Sequence, residues 1–303
     1  MSTPPSGEQY EISHAEQRAT IVEVGGGVRE YVDGDRDVLE PYPVEAVCDG
    51  AHGSPLIPWP NRLADGRYPF DGVEHQVALT EPEKQNAIHG FLRWRPWRAV
   101  VRDADRVVMG TRIYPMKGYP FTVEVSVAYE LTDDGLVVTT AATNIGDRAA
   151  PFASGHHPYL SPGSGLIDDC TLELDAATRI DTDARQLPTG DEAVEGTDFD
   201  FRTGRRLGDQ ALDFAFKDLG RDGDGRAWVR LSGTDGRTAG LWADEHYPIL
   251  EIYTGDTLGE GRRRTGLGAE PMTCPPNGLA TGDRVVRLEP GENLTTRWGA
   301  RLG

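Results

Sequence analysis

Residues 120–131 read PFTVEVSVAYEL, and the alternation in this segment constrains the fold more than any other feature of the chain. Phe121, Val123, Val125, Val127 and Tyr129 fall on one side of an extended backbone. Thr122, Glu124, Ser126, Ala128 and Glu130 fall on the other. Successive side chains of a strand point to opposite faces, so this period of two describes a strand with one buried and one more polar face. GLVVTTAATN follows the turn Asp133-Asp134-Gly135, so residues 120–144 are predicted to form a hairpin. Similar short β-rich runs occupy residues 19–24, 75–79, 98–101, 106–113, 171–174, 227–231, 238–242, 249–254, 284–288 and 294–302. The 37 glycines and 21 prolines supply turns between them. Helical stripes are scarce: residues 206–219 and the segment near Asn61 are expected to hold a turn or two. Many short antiparallel strands with frequent turns predict an all-β chain, a large sandwich or barrel. No break in composition divides residues 18–303, which are read as one domain. Residues 1–17 are polar and are expected to be flexible.

Charge narrows the partners. The 31 basic residues against 49 acidic ones leave a formal net charge of −18. Nucleic acid and anionic membrane surfaces are bound through clustered Lys and Arg, so neither is expected as a partner. No run approaches the ~18 apolar residues of a membrane span. The opening MSTPPSGEQYEISHAEQ lacks both a basic and an apolar stretch of a signal peptide, so a cytoplasmic location is expected. Cys48, Cys170 and Cys274 are scattered and form no CxxC pair, against a disulfide framework or a zinc site.

Four segments carry residue types that can do chemistry, each with a plainer alternative. In WPNRLADGRY, Asn61 and Arg62 follow two prolines; a guanidinium fork suits carboxylates or paired hydroxyls, or simply a solvated loop. In NAIHGFLRWRPW, His89 can exchange hydrogen bonds with a sugar hydroxyl while Trp94 and Trp97 stack on a pyranose; equally, these side chains fix their own loop and fill a core. In FASGHHPYL two of the chain's seven histidines are adjacent. Histidine, with a solution pKa of about 6.5, moves protons near neutrality with little tuning. Pro158 holds the backbone of His157 extended, as either a preorganised acid or a structural turn requires. In LGAEPMTCPPNGL no Lys or Arg occurs across residues 267–279, so a buried Glu270 would have its pKa raised toward that of a general base. Asp213, flanked by apolar residues in LDFAF, needs donors if buried, and a polyol supplies them. No metal-ligand spacing, GxGxxG, P-loop or GxSxG motif is present in its required context.

Taken in order, PNRLADGRY, NAIHGFLRWRPW, GHHPYL, LDFAF, LEIYTGD, AEPMTCPPNGLATGD and RLEPGENLTTRWGARL resemble the aldose 1-epimerase (galactose mutarotase-like) family from about residue 20 onward. The resemblance implies a large antiparallel β-sandwich with a sugar site on its concave face. It implies interconversion of the α and β anomers of a free aldohexose without a cofactor or metal. By position, His157 resembles the general acid, Glu270 the general base, and His89 the second histidine near the ring oxygen. Arg62 and Asp213 resemble residues that bind hydroxyls, and Asn61, Trp94 and Tyr253 fall beside them. His156 stands where galactose-specific members tend to have asparagine; a loop role and a substrate contact are both open to it. A monosaccharide is the expected partner, with the protein a monomer or homodimer. Two rivals share these features: a hexose-6-phosphate epimerase using Arg62, Arg67, Arg93 and Arg95 for phosphate, and a non-catalytic sugar-binding protein.

Overall fold

The computed structural model describes residues 3–303. Among them the strands form two large sheets, of twelve and nine strands, and three small two-stranded ones. The nine-stranded sheet is built outward from the predicted hairpin, Val123–Thr132 paired with Gly135–Asn144 in antiparallel register. Val123, Val125, Val127 and Tyr129 are buried as the alternation requires, and Leu136, Val138 and Ala142 join them from the partner strand. They pack against residues of the twelve-stranded sheet, including Tyr31, Val38, Leu250, Ile252, Leu267 and Ala269, in one continuous apolar cluster. This is the sandwich expected of many half-apolar antiparallel strands, each hiding one face.

The twelve-stranded sheet sets the position of the buried acids Glu251 and Glu270. At its centre, Leu267–Met272 runs between Tyr159–Leu160 and Ile249–Tyr253, followed by Asp213–Leu219. Leu267, Ala269, Leu250, Ile252 and Phe216 turn toward the core between the sheets. Their neighbours in sequence therefore turn to the opposite face: Gly268 and Glu270, Glu251 and Tyr253, Asp213 and Ala215.

Three sequence expectations are corrected. Residues 206–219 contain no helix: Arg205–Arg206 and Asp213–Leu219 are strands, because Phe214 and Phe216 alternate with Asp213 and Ala215 across the sheet. The segment near Asn61 is extended, with Arg62–Ala64 paired to Asn86–Ile88. The supposed flexible segment 1–17 contains the strand Gln9–His14, paired with Gln17–Val22 through a turn at Ala15. Tyr10 and Ile12, two apolar residues in a polar stretch, anchor it in the core. Smaller shifts follow turns: the run at 75–79 becomes Val73–Gln76, and that at 284–288 begins only at Val286 after Arg284 at φ +54°.

The two adjacent histidines separate by the same alternation. Gly155–His156 is a strand, and His156 points into the core, fully buried. Its Nε2 meets Thr140 Oγ1 at 2.7 Å and its ring lies 5.4 Å from that of Trp298, both on the nine-stranded sheet. Burial pushes its pKa down to about 3, so it bridges the sheets as a neutral ring. It is neither a loop residue nor a cleft residue. His156→Leu strands the buried Thr140 hydroxyl and is expected to cost about 1–3 kcal/mol. Denaturant unfolding should show that loss, while turnover per folded molecule stays at the wild-type level.

Candidate active site

His157 lines the cleft, and its backbone is pinned at both polar groups. Its N–H donates to Ser54 O at 3.1 Å, and its carbonyl accepts from Gly53 N at 2.9 Å. The ring stacks on Tyr159, centroids 4.9 Å apart, and Tyr159 stacks on His52 at 4.2 Å. Glu270 faces Glu251 directly across the central strand pair, and Tyr253 faces both Gly268 and Asp213. His89 and Asn61 both take left-handed backbone conformations, φ +63° and +53°. They hold each other there: His89 N–H donates to Asn61 O at 3.0 Å, and Asn61 N–H donates to His89 Nδ1 at 3.1 Å. Such backbone strain persists only where the surroundings over-determine it. Gly90, next in line, admits no side chain, since a Cβ would sit 2.0 Å from Ile57 O.

The central contact is His157 Nε2 to Glu270 Oε1, 3.0 Å, with both side chains almost wholly buried. Burial pushes the Glu270 carboxyl well above the usual carboxylate range, with Glu251 and Asp213 adding to it. Burial likewise pushes His157 down to about 3. The expectation of a histidine titrating near its solution value is thus overturned by desolvation. The short contact favours an ion pair while burial favours neutral partners; at this depth burial dominates, so the resting proton sits on Glu270. Either way the two groups titrate as one unit with one proton to share.

His89 has a different task. Its Nδ1 accepts the Asn61 N–H, so the neutral ring carries its proton on Nε2. Burial and the nearby His157, Arg93 and Arg62 hold its pKa well below the usual value, so that Nε2–H is a fixed donor. His89, His157 and Glu270 place three ligand-type atoms within 4.8 Å of one another. The tautomer makes them a poor metal set, because a protonated Nε2 has no lone pair to give.

These residues close one end of a cleft of about 380 Å³, which also takes in Asn61, Arg62, Asp213 and Tyr253. Arg62 is buried and forks onto Glu81, Nε to Oε2 2.9 Å, with Nη2 3.9 Å from Asp213. Gln186 donates to Asp213, and Lys84 donates to Gln186. Of the sequence candidates, Trp94 alone stands apart: it is half exposed on the short helix Leu92–Trp94 and does not line the cleft, while Trp97 is buried in the core. Of the four arginines considered for phosphate, Arg62 and Arg93 line the cleft, whereas Arg67 pairs with Glu74 and Arg95 is exposed elsewhere. The sequence reading missed Glu81, Lys84, Gln186 and Glu251. A buried Arg62 demands an acid, but which of 49 acids supplies it is not written locally. A larger groove, about 630 Å³, lies on the nine-stranded sheet, but it holds no histidine and its one carboxylate, Glu124, is paired with Arg112.

The family model described as aldose 1-epimerase matches residues 8–299. The chain is 32% identical to the uncharacterized protein YihR of Escherichia coli over 95% of its own length and 91% of that protein's. It is 29% identical to the aldose 1-epimerase of Escherichia coli over 80% and 78%. Its fold matches the crystal structure of the GalM/aldose epimerase homologue from C. elegans with a TM-score of 0.86 at 19% identity, covering 98% of each chain. On the extent of the sequence match, the chain belongs to the aldose 1-epimerase family.

Proposed function

We propose that this protein interconverts the α and β anomers of a free aldohexose, with Glu270 as base at the C1 hydroxyl and His157 as acid at the ring oxygen. The observation that carries this reading is the buried 3.0 Å contact between the two groups lining the cleft. The anomeric hydroxyl and the ring oxygen are bonded to the same carbon, so the groups serving them must be close neighbours.

Proton bookkeeping closes on the pair itself. In the reactive form, imidazolium faces carboxylate. Glu270 takes the proton of the C1 hydroxyl while His157 gives one to the ring oxygen. The C1–O5 bond breaks and the C1 aldehyde forms. The pair is left as neutral imidazole and carboxylic acid, still holding one proton. Rotation about C1–C2 presents the other carbonyl face. Glu270 then returns a proton to the carbonyl oxygen and His157 takes the one on O5, so the ring closes inverted. The Nε2–H of His89 is a donor to an oxygen of the opening hemiacetal, and Arg62 and Asp213 hold hydroxyls away from the reacting carbon.

Arg93 gives a second reading some footing. It lines the cleft, and no carboxylate lies within ion-pair distance of it among the described residues. A hexose 6-phosphate is therefore the alternative substrate, and comparing glucose with glucose 6-phosphate by polarimetry separates the two. A free-aldose enzyme turns over glucose with the higher kcat/KM; a preference of tenfold or more for the phosphate supports the alternative.

His157→Asn and Glu270→Gln are each expected to lower kcat by roughly 10²- to 10⁴-fold, the usual worth of a general acid or base. Polarimetry on freshly dissolved α-glucose or α-galactose measures this; near-wild-type turnover in either variant would end the assignment. The pH profile carries a second expectation. Activity needs one proton on the pair. A second proton is resisted because His157 is depressed to about 3, and the last is retained because Glu270 is raised. After subtraction of the uncatalysed rate, kcat is expected to show no acid limb from neutrality down to about pH 5. An acid limb centred near the solution histidine value of about 6.5 contradicts the pairing.

A further inference from the structure

Glu251 is 2% exposed and lies directly across from Glu270, on the cleft face of the adjacent strand, yet it does not line the cleft. Its carboxyl is in hydrogen-bond contact with that of Asp213, one strand further along. No donor faces Glu251 Oε2 among the described residues. Two carboxyl groups in hydrogen-bond contact are two acceptors unless a proton stands between them.

The charges around it allow no other arrangement. Glu81, Asp213, Glu251 and Glu270 converge on one face. Arg62 is the nearest cation and is already committed to Glu81, with its far nitrogen at 3.9 Å from Asp213. His157 is occupied by Glu270, His89 is held neutral, and Tyr253, on the strand of Glu251, turns its hydroxyl to Thr257. A second ionised carboxylate beside Asp213, without a counter-ion and out of water, is not sustainable.

We infer that Glu251 is a positioning residue that works as a protonated carboxylic acid: it donates its O–H to Asp213, and so aims the Asp213 oxygens at a sugar hydroxyl without placing a charge beside the His157–Glu270 pair. The inference rests on the proposed function only for what Asp213 binds; the location of the proton stands apart from it. Deprotonation of Glu251 at alkaline pH removes the donor and sets two negative carboxylates against each other. Substrate affinity then weakens while the His157–Glu270 chemistry is untouched.

Infrared difference spectroscopy of the purified protein tests the proton directly. Besides the stretch of protonated Glu270, a second protonated-carboxyl C=O stretch is expected at neutral pH that is absent in Glu251→Gln, and identical spectra in that region overturn the inference. Should Glu251→Gln fail to fold, Asp213→Asn supplies the second arm: the Glu251 O–H then donates to an amide oxygen instead of a carboxylate, and its C=O stretch shifts; an unshifted band counts against the inference. Kinetics give the functional readout. Glu251→Ala is expected to raise KM about 10- to 100-fold, the worth of one buried unpaired acceptor, and Glu251→Gln to restore it. Wild-type KM is expected to rise on the alkaline side while that of Glu251→Gln stays level; parallel KM profiles overturn the role. A protein with the acid band but without epimerase activity refutes the proposed function and leaves the placement of the proton intact.

Discussion

Charge is costly on the cleft face of the large sheet, and the candidate site is organised by that cost. His157 and Glu270 touch at 3.0 Å in near-complete burial. Neither can afford an isolated charge, so a single proton is held between them and can sit on either. Those two positions of the proton correspond to the two ends of a hemiacetal ring opening. A surface pair of the same residues would be screened and would titrate independently. Burial is what binds the two protonation states into one unit.

The sandwich supplies that burial through ordinary strand alternation. Leu250, Ile252, Leu267 and Ala269 are locked into the core between the sheets. The intervening Glu251 and Glu270 have no option but the other face. Register then sets Glu251 beside Glu270 and Tyr253 beside Asp213. Moving either strand by one residue would send a carboxylate into the apolar core, so the packing that stabilises the fold also fixes the site. The second wall, from Asn61 and His89, depends on two left-handed residues that exchange hydrogen bonds and so settle which ring nitrogen of His89 carries its proton.

Much of the sandwich is legible in the sequence because alternation is a strong local signal. Arg106–Ile113 and Thr171–Leu174 begin and end where the pattern says. Gln9–His14 escapes because two apolar residues are too few to stand out. The stretch 206–219 misleads because Leu207, Leu212 and the phenylalanines mimic a helical stripe until their neighbours on the sheet are known. At the site, Glu270 is conspicuous for its lack of nearby basic residues, and His156 could have been assigned to the core by applying alternation to adjacent histidines. The partners of buried groups are different. Glu81 and Gln186 meet Arg62 and Asp213 only through the folded chain, and nothing local distinguishes them. Trp94 misleads for a chemical reason: an indole suits a pyranose, but a single turn of helix carries this one outward.

The proton shared by His157 and Glu270 is observable without any substrate. Imidazole nitrogen shifts of His157, followed by NMR in isotopically labelled protein, report its protonation directly. Across about pH 5 to about pH 8 the account predicts no titration of that ring, in contrast to an exposed histidine, which changes near about 6.5. A sigmoidal transition of His157 centred near that ordinary value, with Glu270 remaining ionised throughout, would contradict it.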